Sequence, residues 1–365
     1  MNTKNPISNH YHNHTRKQML ALLPFEIVDH VVGYLDFGDV RSIACVCSAL
    51  RLPGQVRLFR TINIGFYPSR SYPCRTESII SSLHLLQYAS CLMVGPNTPT
   101  PMEAFWPCLP VMYRLKTMHI YFEPIPNSCS RALSALESLG SAREIALICN
   151  GDLAPDMLMS DNPLPVHSLE LSVDASNHQV VKRLIQKCSQ SLRQLHLCLQ
   201  DNIDPPSTFL PHIYEFSAKT YLDDPAKTPD LMSWFPFLNQ HPTITRLSLG
   251  PQFTLTVQPS PNLLPNLQFL SATPAIIERL IPGRAVDDIY VIYRSPLECH
   301  FPVDIMLRSL RQPFVPVTTV AIDTSFTLLL DNFLINLVQA LPKLRKFILD
   351  WACNEVRQLL EAECI

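Results

Sequence analysis

The sequence predicts an α/β protein in which short N-terminal helices precede a curved solenoid of strand–helix repeats, with a parallel sheet on the concave face. Three observations support this fold class. Residues 22–50 contain two consecutive apolar patterns with helical spacing. A short apolar phrase with strand spacing then recurs twelve times, and helix-like segments separate many of its copies. We divide the 365-residue chain into a tail (1–17), a helical segment (18–60) and a repeat region (61–365).

The first 17 residues are predicted to be a disordered tail. They are almost entirely polar, with many Asn, Ser, Thr and Lys residues and no apolar core of a secretory signal. His10, His12 and His14 alternate, and an extended backbone would place all three on one side, where a metal ion is conceivable. The flanking polar residues favour the disordered tail, and no metal site is predicted.

The first helix is predicted to begin near Pro24. Proline fixes its own φ angle and lacks an N–H group, so it fits the first turn of a helix. Glu26 follows in that turn, where the helix dipole favours a negative charge. The pattern then predicts one apolar stripe at helical spacing, formed by Ile27, Val28, Val31, Val32 and Leu35.

A second helix is predicted after a turn at residues 36–39. Asp39 is the expected N-cap, since an aspartate side chain accepts hydrogen bonds from the first N–H groups of a helix. Both helices are too short to be stable alone, so the pair must pack on something. One interpretation is a helical hairpin that only caps the following domain. The apolar residues of this second helix are Val40, Ile43, Ala44, Val46 and Cys47.

This helical segment resembles the F-box motif over about Gln18 to Arg60. In many members a Trp follows the Val-Cys pair, whereas Ser48-Ala49-Leu50 stands there in this chain. The residues that carry the resemblance are Leu23, Pro24, Glu26, Ile27, Tyr34, Leu35, Asp39, Val40, Val46 and Cys47.

The resemblance implies a binding partner. F-box segments dock onto a Skp-family adaptor, and through it onto a cullin scaffold and the ubiquitin-conjugating machinery. Carried over to this sequence, the adaptor contacts would be Leu23, Pro24, Ile27, Val31 and Leu35.

The repeat region is recognised by a recurring phrase: an apolar residue, two others, then two apolar residues separated by one. Twelve copies run from Phe59-Ile62-Ile64 to Leu344-Phe347-Leu349, with starts 19 to 31 residues apart, inside or near the range of leucine-rich repeats. LKTMHI, VHSLEL, LRQLHL and ITRLSL have polar residues at every intervening place, which is typical of strands with one buried face. Helices are predicted between strands at Arg75 to Gln87, Ser130 to Leu139, His178 to Cys188, Ile305 to Leu310 and Leu328 to Leu341.

Strand–helix units with short connections favour parallel strands and right-handed crossovers, and stacked units form a solenoid. An F-box followed by degenerate repeats is similar to the fungal F-box proteins with leucine-rich-repeat-like tails. The Asn that commonly closes the phrase in leucine-rich repeats occurs here only as Asn97 and Asn150. Glycine is scarce (9 residues) and proline abundant (33), which argues against a nucleotide-binding sheet with its glycine-rich turn.

The predicted function is protein recruitment. A solenoid presents its strands as a broad surface suited to binding a protein. Together with this surface, the resemblance to F-box proteins implies that the chain is the substrate-recognition subunit of a Skp–cullin–F-box ubiquitin ligase, with a protein substrate of unknown identity. The alternatives are a repeat-type interaction scaffold with no ligase role, and a thiol-dependent enzyme. The predicted substrate contacts are His119, Tyr121, Glu170, Arg193, His196 and Arg246.

Composition and motifs argue against other classes. A net charge of −2 provides no electrostatic footprint for nucleic acid or an anionic membrane, and no run of about eighteen apolar residues predicts a membrane span. The twelve cysteines are scattered without a C-x-x-C pair, which favours free thiols in a reducing compartment, the cytoplasm or nucleus. No G-x-S-x-G, H-E-x-x-H or P-loop motif occurs, so neither catalysis nor a cofactor is predicted.

Overall fold

The computed structural model describes residues 24–46, 48–64, 83–95, 105–122, 134–137, 144–149, 162–201, 203–220, 229–292, 307, 310, 316–323 and 330–350. The architecture is α/β, with twelve parallel strands and several helices. The chain divides into two compact units. The first comprises residues 1–121 and 138–145, and the second comprises residues 122–137 and 146–365. The predicted tail, with its three histidines, lies outside the described residues.

The described part of the first unit begins with three helices and continues with parallel strands. Within it β2 pairs with β1 and β3 pairs with β2, so the order of these strands in the sheet is their order along the chain. Its elements are α1 (Phe25–Gly33), α2 (Phe37–Val46), α3 (Ser48–Phe59), β1 (Thr61–Ile64), α4 (Leu83–Leu86), β2 (Cys91–Val94), a 3₁₀ helix (Trp106–Val111) and β3 (Thr117–Phe122).

The second unit alternates strands and helical turns. Its strands also pair in parallel and in chain order. Its elements are β4 (Glu144–Cys149, of which the first two residues belong to the first unit), β5 (Ser168–Val173), α5 (His178–Cys188), β6 (Gln194–Leu199), β7 (Glu215–Thr220), a 3₁₀ helix (Leu231–Trp234), α6 (Phe235–Gln240), β8 (Arg246–Leu249), β9 (Phe269–Ala272), α7 (Pro274–Leu280), β10 (Asp288–Val291), β11 (Thr319–Asp323), α8 (Leu330–Ala340) and β12 (Lys346–Asp350).

The recurring phrase explains the strands, and the structure confirms all twelve predicted positions. The two apolar residues separated by one lie within a strand in every copy. The strand register also aligns the copies, so that the second apolar position of each phrase lies beside that of the next. In the second unit this position is fully buried from β5 to β11, in the row Leu169, Leu195, Phe216, Leu247, Leu270, Ile289 and Val320.

Two of the predicted helices in the repeat region are confirmed. Helix α5 spans the predicted residues, and α8 occupies all but the ends of the segment predicted from Leu328 to Leu341. Of the segment Arg75 to Gln87, α4 forms only the C-terminal part, and residues 75–82 lie outside the described residues. Most of the segments 130–139 and 305–310 also lies outside them. None of the helices in the described part of the chain combines the length and apolarity needed to cross a membrane.

The start of α2 corrects the sequence prediction. Asp39, predicted as the N-cap, lies inside the first turn, because the helix begins at Phe37. The backbone N–H of Asp39 donates to Oδ1 of Asp36 at 2.8 Å, so Asp36 provides the capping oxygen. Asp36 and Asp39 stand at the two ends of the predicted turn, and the sequence pattern allows either of them to be the N-cap. The backbone shows that Asp36 is the capping residue, because the helix begins at Phe37.

The third helix, α3, was not predicted from the sequence. Helix α3 contains Pro53 and Gly54, which the helix propensity scale ranks lowest, yet it packs on both α1 and α2. Tertiary packing therefore outweighs local propensity here. The three helices share an apolar core of Val28, Val32, Val40 and Leu50, with Leu35, Ile43 and Leu58 packed against it. Leu50, the last residue of the Ser48-Ala49-Leu50 stretch, is buried in this core.

Candidate functional site

Helix α1 has two apolar faces. Val28 and Val32 are 6% and 2% exposed and point into the helical core. Ile27 and Val31 lie four residues apart on the other side and are 49% and 51% exposed. The single apolar stripe predicted from the sequence is therefore divided between an inner face and an outer face.

The outer face of α1 consists of Pro24, Ile27, Val31 and Tyr34. Pro24 is exposed at the N-cap position, and Tyr34 is exposed just after the last turn. The Tyr34 hydroxyl lies 3.4 Å from Nε2 of His30, and the two rings meet edge to face at 5.1 Å. These contacts hold the tyrosine ring alongside the helix, next to the exposed branched side chains.

The predicted adaptor contacts fall into three groups. Pro24, Ile27 and Val31 lie together on the outer face of α1. Leu35 does not join them, because it is half-buried and packs against the helical core. Leu23 lies outside the described residues.

Helix α1 is held at its C-terminal end. Nη2 of Arg57 in α3 donates to the carbonyl oxygen of Gly33 at 3.2 Å. This bond occupies one of the carbonyl groups that a helix end leaves without an intrahelical partner. The outer face is therefore carried by a helix that is anchored to its neighbours through a filled core and a terminal hydrogen bond.

The predicted substrate contacts in the first unit lie on β3. His119 is in register with Met93 of β2, and Tyr121 follows two residues later on the same side of the strand. Both side chains are half-buried. They are therefore accessible in part on the face opposite to the buried Met118 and Ile120.

In the second unit the register brings Glu170 and His196 together. Glu170 of β5 is directly opposite His196 of β6, which in turn is opposite Ser217 of β7. Burial lowers the pKa of His196, whereas the charges of Glu215 and Glu170 act in the opposite direction. His196 is thus a neutral, half-buried imidazole in a polar row that continues through Ser248 and Ser271.

Arg246 belongs to the adjacent row and is held by neighbours that sequence analysis missed. Its Nε lies 3.7 Å from Oε2 of Glu215, and its guanidinium carbon is 4.1 Å from the centre of the Phe269 ring. Nε2 of Gln194 also donates to Glu215 Oε2 at 3.0 Å. The third position of the phrase is shared by Gln194, Glu215, Arg246 and Phe269. Aligning the copies of the phrase would therefore have predicted that these residues are neighbours.

The position of Arg193 differs from the sequence prediction. It was expected on the strand face, but β6 begins one residue later, at Gln194. Arg193 is exposed and lines a pocket beside the start of this strand. Of the six predicted contacts, two lie in the first unit, three lie on the strand rows of the second, and Arg193 lines the pocket.

Among the described residues, no group of three His, Cys, Asp or Glu side chains is arranged to hold a metal ion. Burial raises the pKa of the Cys188 thiol to about 12 and raises that of Cys108 above its ordinary value. These two thiols therefore remain protonated near neutral pH and are poor nucleophiles.

Comparison with known proteins yielded no match, either to a family model or to a curated protein.

Proposed function

We propose that this protein is the substrate-recruiting subunit of a Skp–cullin–F-box type ubiquitin ligase. In this proposal the outer face of α1 docks on the Skp-family adaptor, and the repeat region, as a curved leucine-rich-repeat-like solenoid, binds the protein substrate. The observation that carries the proposal is the exposure of Ile27 and Val31 beside a helical core that is already filled.

The outer face is suited to a protein partner. Two branched apolar side chains four residues apart form an anchor pair of the kind that a helix inserts into an apolar groove. Burying the exposed half of each would contribute about 1 kcal/mol to binding. The helix is anchored to its neighbours, so little conformational entropy would be lost when it docks.

The repeat region supports the second half of the proposal. Its outward side chains mix charge, hydroxyl and imidazole groups with no dominant sign, which suits a protein surface better than a polyanion. His119, Tyr121, Glu170, His196 and Arg246 remain the proposed substrate contacts on the strands. The cytoplasm or nucleus is the proposed location, because the adaptor and scaffold act there.

The proposal is tested by pulldown of the full chain with a purified Skp-family adaptor. Val31→Asp places a charge in the proposed contact, and Ile27→Asp does so one turn earlier. Both side chains are half-exposed, so the helices should fold. The matched control is Val257→Asp, because Val257 is a valine of the second unit that is also 51% exposed.

We expect the wild type and Val257→Asp to retain the adaptor and both α1 variants to lose it. Far-UV circular dichroism should show equal helix content in all four proteins. Binding that Val31→Asp leaves intact would overturn the proposed docking face. No adaptor binding by the wild type would favour the alternative, a repeat-type interaction scaffold without a ligase role.

A further inference from the structure

A solvent-open pocket of about 510 Å³ lies in the second unit, beside the first residues of β6 and β7. It borders the polar row that contains Gln194, Glu215 and Arg246, because Gln194 donates a hydrogen bond to Tyr214 of the pocket lining. Its volume is in the range of sites that hold small organic molecules rather than single ions. The lining residues are His167, Gln190, Ser191, Arg193, His212 and Tyr214.

The repeat architecture builds this pocket. His167, Arg193 and Tyr214 all occupy the second position of the phrase, directly before their strands. The N–H of Arg193 donates to the carbonyl oxygen of His167 at 2.8 Å, and the N–H of Tyr214 donates to that of Arg193 at 2.9 Å. Three consecutive repeats therefore place an imidazole, a guanidinium and a phenol side by side, about 5 Å apart.

The rim of the pocket is held in place by Ser191. Its Oγ lies within hydrogen-bond distance of the carbonyl oxygens of Leu164, Val166 and Cys188, at 2.8, 2.9 and 3.1 Å. These contacts join the end of α5 to the segment before β5. The backbone that carries Arg193 is therefore fixed before any ligand arrives.

The charge in the pocket is one-sided. Its lining holds an arginine, two histidines and no carboxylate. The Arg193 guanidinium forms no hydrogen bond or ion pair with any residue in the described ranges. The neighbouring carboxylate of Glu215 is occupied by Gln194 and Arg246.

The Tyr214 hydroxyl is oriented by a neighbour. Nε2 of Gln194 donates to this oxygen at 2.9 Å. The hydroxyl therefore acts as acceptor toward Gln194 and keeps its own proton for a further acceptor. Tyr214 can thus donate a hydrogen bond next to the guanidinium, while its ring supplies an apolar wall.

We propose that this pocket binds a small organic anion, a phosphate ester or carboxylate attached to an apolar or aromatic body. Arg193 binds the anionic group with its planar fork of N–H donors, which matches both oxyanions. His212 and the Tyr214 hydroxyl supply further donors, and the Tyr214 ring contacts the body of the ligand. This inference is independent of the proposed ligase role.

The test is calorimetric titration of the full chain with phenyl phosphate, benzoate and inorganic phosphate. Arg193→Gln removes the central cation, and His212→Ala removes an exposed donor. The matched control is Arg183→Gln, which changes the net charge equally at an exposed position of α5 outside the pocket. Arg193→Gln should weaken binding about tenfold or more, since a charge-assisted pair is lost.

His212→Ala should weaken binding less than Arg193→Gln, and Arg183→Gln should change it less than twofold. Preference for phenyl phosphate or for benzoate would support the pocket and identify which oxyanion it selects. Inorganic phosphate binding as tightly as phenyl phosphate would contradict a role for the organic body. Equal affinity of the wild type and Arg193→Gln, or no binding of either organic anion at about 10 mM, would overturn the proposal.

Discussion

The N-terminal helices and the strands of the second unit use their apolar residues in opposite ways. In the strands, the phrase positions pack against the same positions of neighbouring copies and are fully buried, as for Leu195 and Leu247. In α1, two branched residues complete a core and two others remain half-exposed. The apolar residues of a strand are therefore buried by the neighbouring strands, whereas α1 has an apolar face that the described residues leave half-exposed.

The largest expected effect tests this contrast directly. Leu247→Ala leaves a cavity in the buried row of the second unit and should cost about 2–5 kcal/mol of unfolding free energy. Val31→Ala removes a half-exposed side chain and should change it by no more than about 0.5 kcal/mol. Urea unfolding followed by circular dichroism measures both. If the two variants lost similar stability, the outer face of α1 would belong to the core, and the comparison would fail.

The next prediction extends the contrast from apolar to polar groups. Arg284 is buried, and its guanidinium donates to the carbonyl oxygens of Leu263 and Ser260 at 2.8 and 2.7 Å, as well as to those of Leu280 and Pro282. Its burial lowers its pKa to about 10. Arg284→Leu leaves these carbonyls without their donor and should cost at least about 2 kcal/mol.

The control for this variant is Arg279→Leu, at a half-buried arginine of α7. It should leave the urea midpoint nearly unchanged. Arg284→Leu unfolding at the same urea concentration as the wild type would show that the repeat region does not depend on its internal polar contacts.

A third prediction concerns the inner side of the helical segment. A Cβ atom at Gly54 of α3 would lie 2.7 Å from Cβ of Ala44 in α2, closer than real side chains approach. Gly54→Ala should therefore force α2 and α3 apart and cost about 1–3 kcal/mol. Gly33→Ala is the control, because a Cβ there meets nothing within 4 Å. A neutral Gly54→Ala would indicate that these helices are loosely packed on both sides.

The smallest expected effect is pH-dependent and belongs to the second unit. His241 is buried, with Nδ1 2.6 Å from the carbonyl oxygen of Phe237 and Nε2 accepting from the N–H of Leu210 at 2.9 Å. Burial lowers its pKa, against the hydrogen bond to Phe237, which raises it. The unfolded chain therefore binds more protons below about pH 6.5.

Stability from His241 should thus be fully present above about pH 6.5 and decrease as the pH falls toward its folded-state pKa. The stability difference between wild type and His241→Gln, measured by urea unfolding at about pH 7.5 and pH 5.5, should shrink at the lower pH. Because burial also lowers the pKa of His178 and His196, the variant is needed to isolate this contribution. A difference that is constant with pH would contradict it.

The sequence by itself determined the strands and the helices α1, α2, α5 and α8, whereas α3, α6 and α7 were not predicted. A strand is recognised from apolar residues that alternate with a spacing of two, and all twelve copies of the phrase show this spacing. The same spacing predicted that Glu170 and His196 lie on one face, because parallel copies align position by position. Such information is local and repeated, so it can be extracted from the chain without its fold.

Only the tertiary structure decided which side of each element meets a neighbour. The sequence predicted a single apolar stripe on α1. Packing of α2 and α3 buries only one side of this stripe, and local propensity did not predict α3. Arg193 directly precedes β6, and in this position it lines a pocket instead of lying on the strand face. Which side of a helix or strand is buried depends on contacts between residues that are distant in sequence. The periodicity of one segment does not predict these contacts.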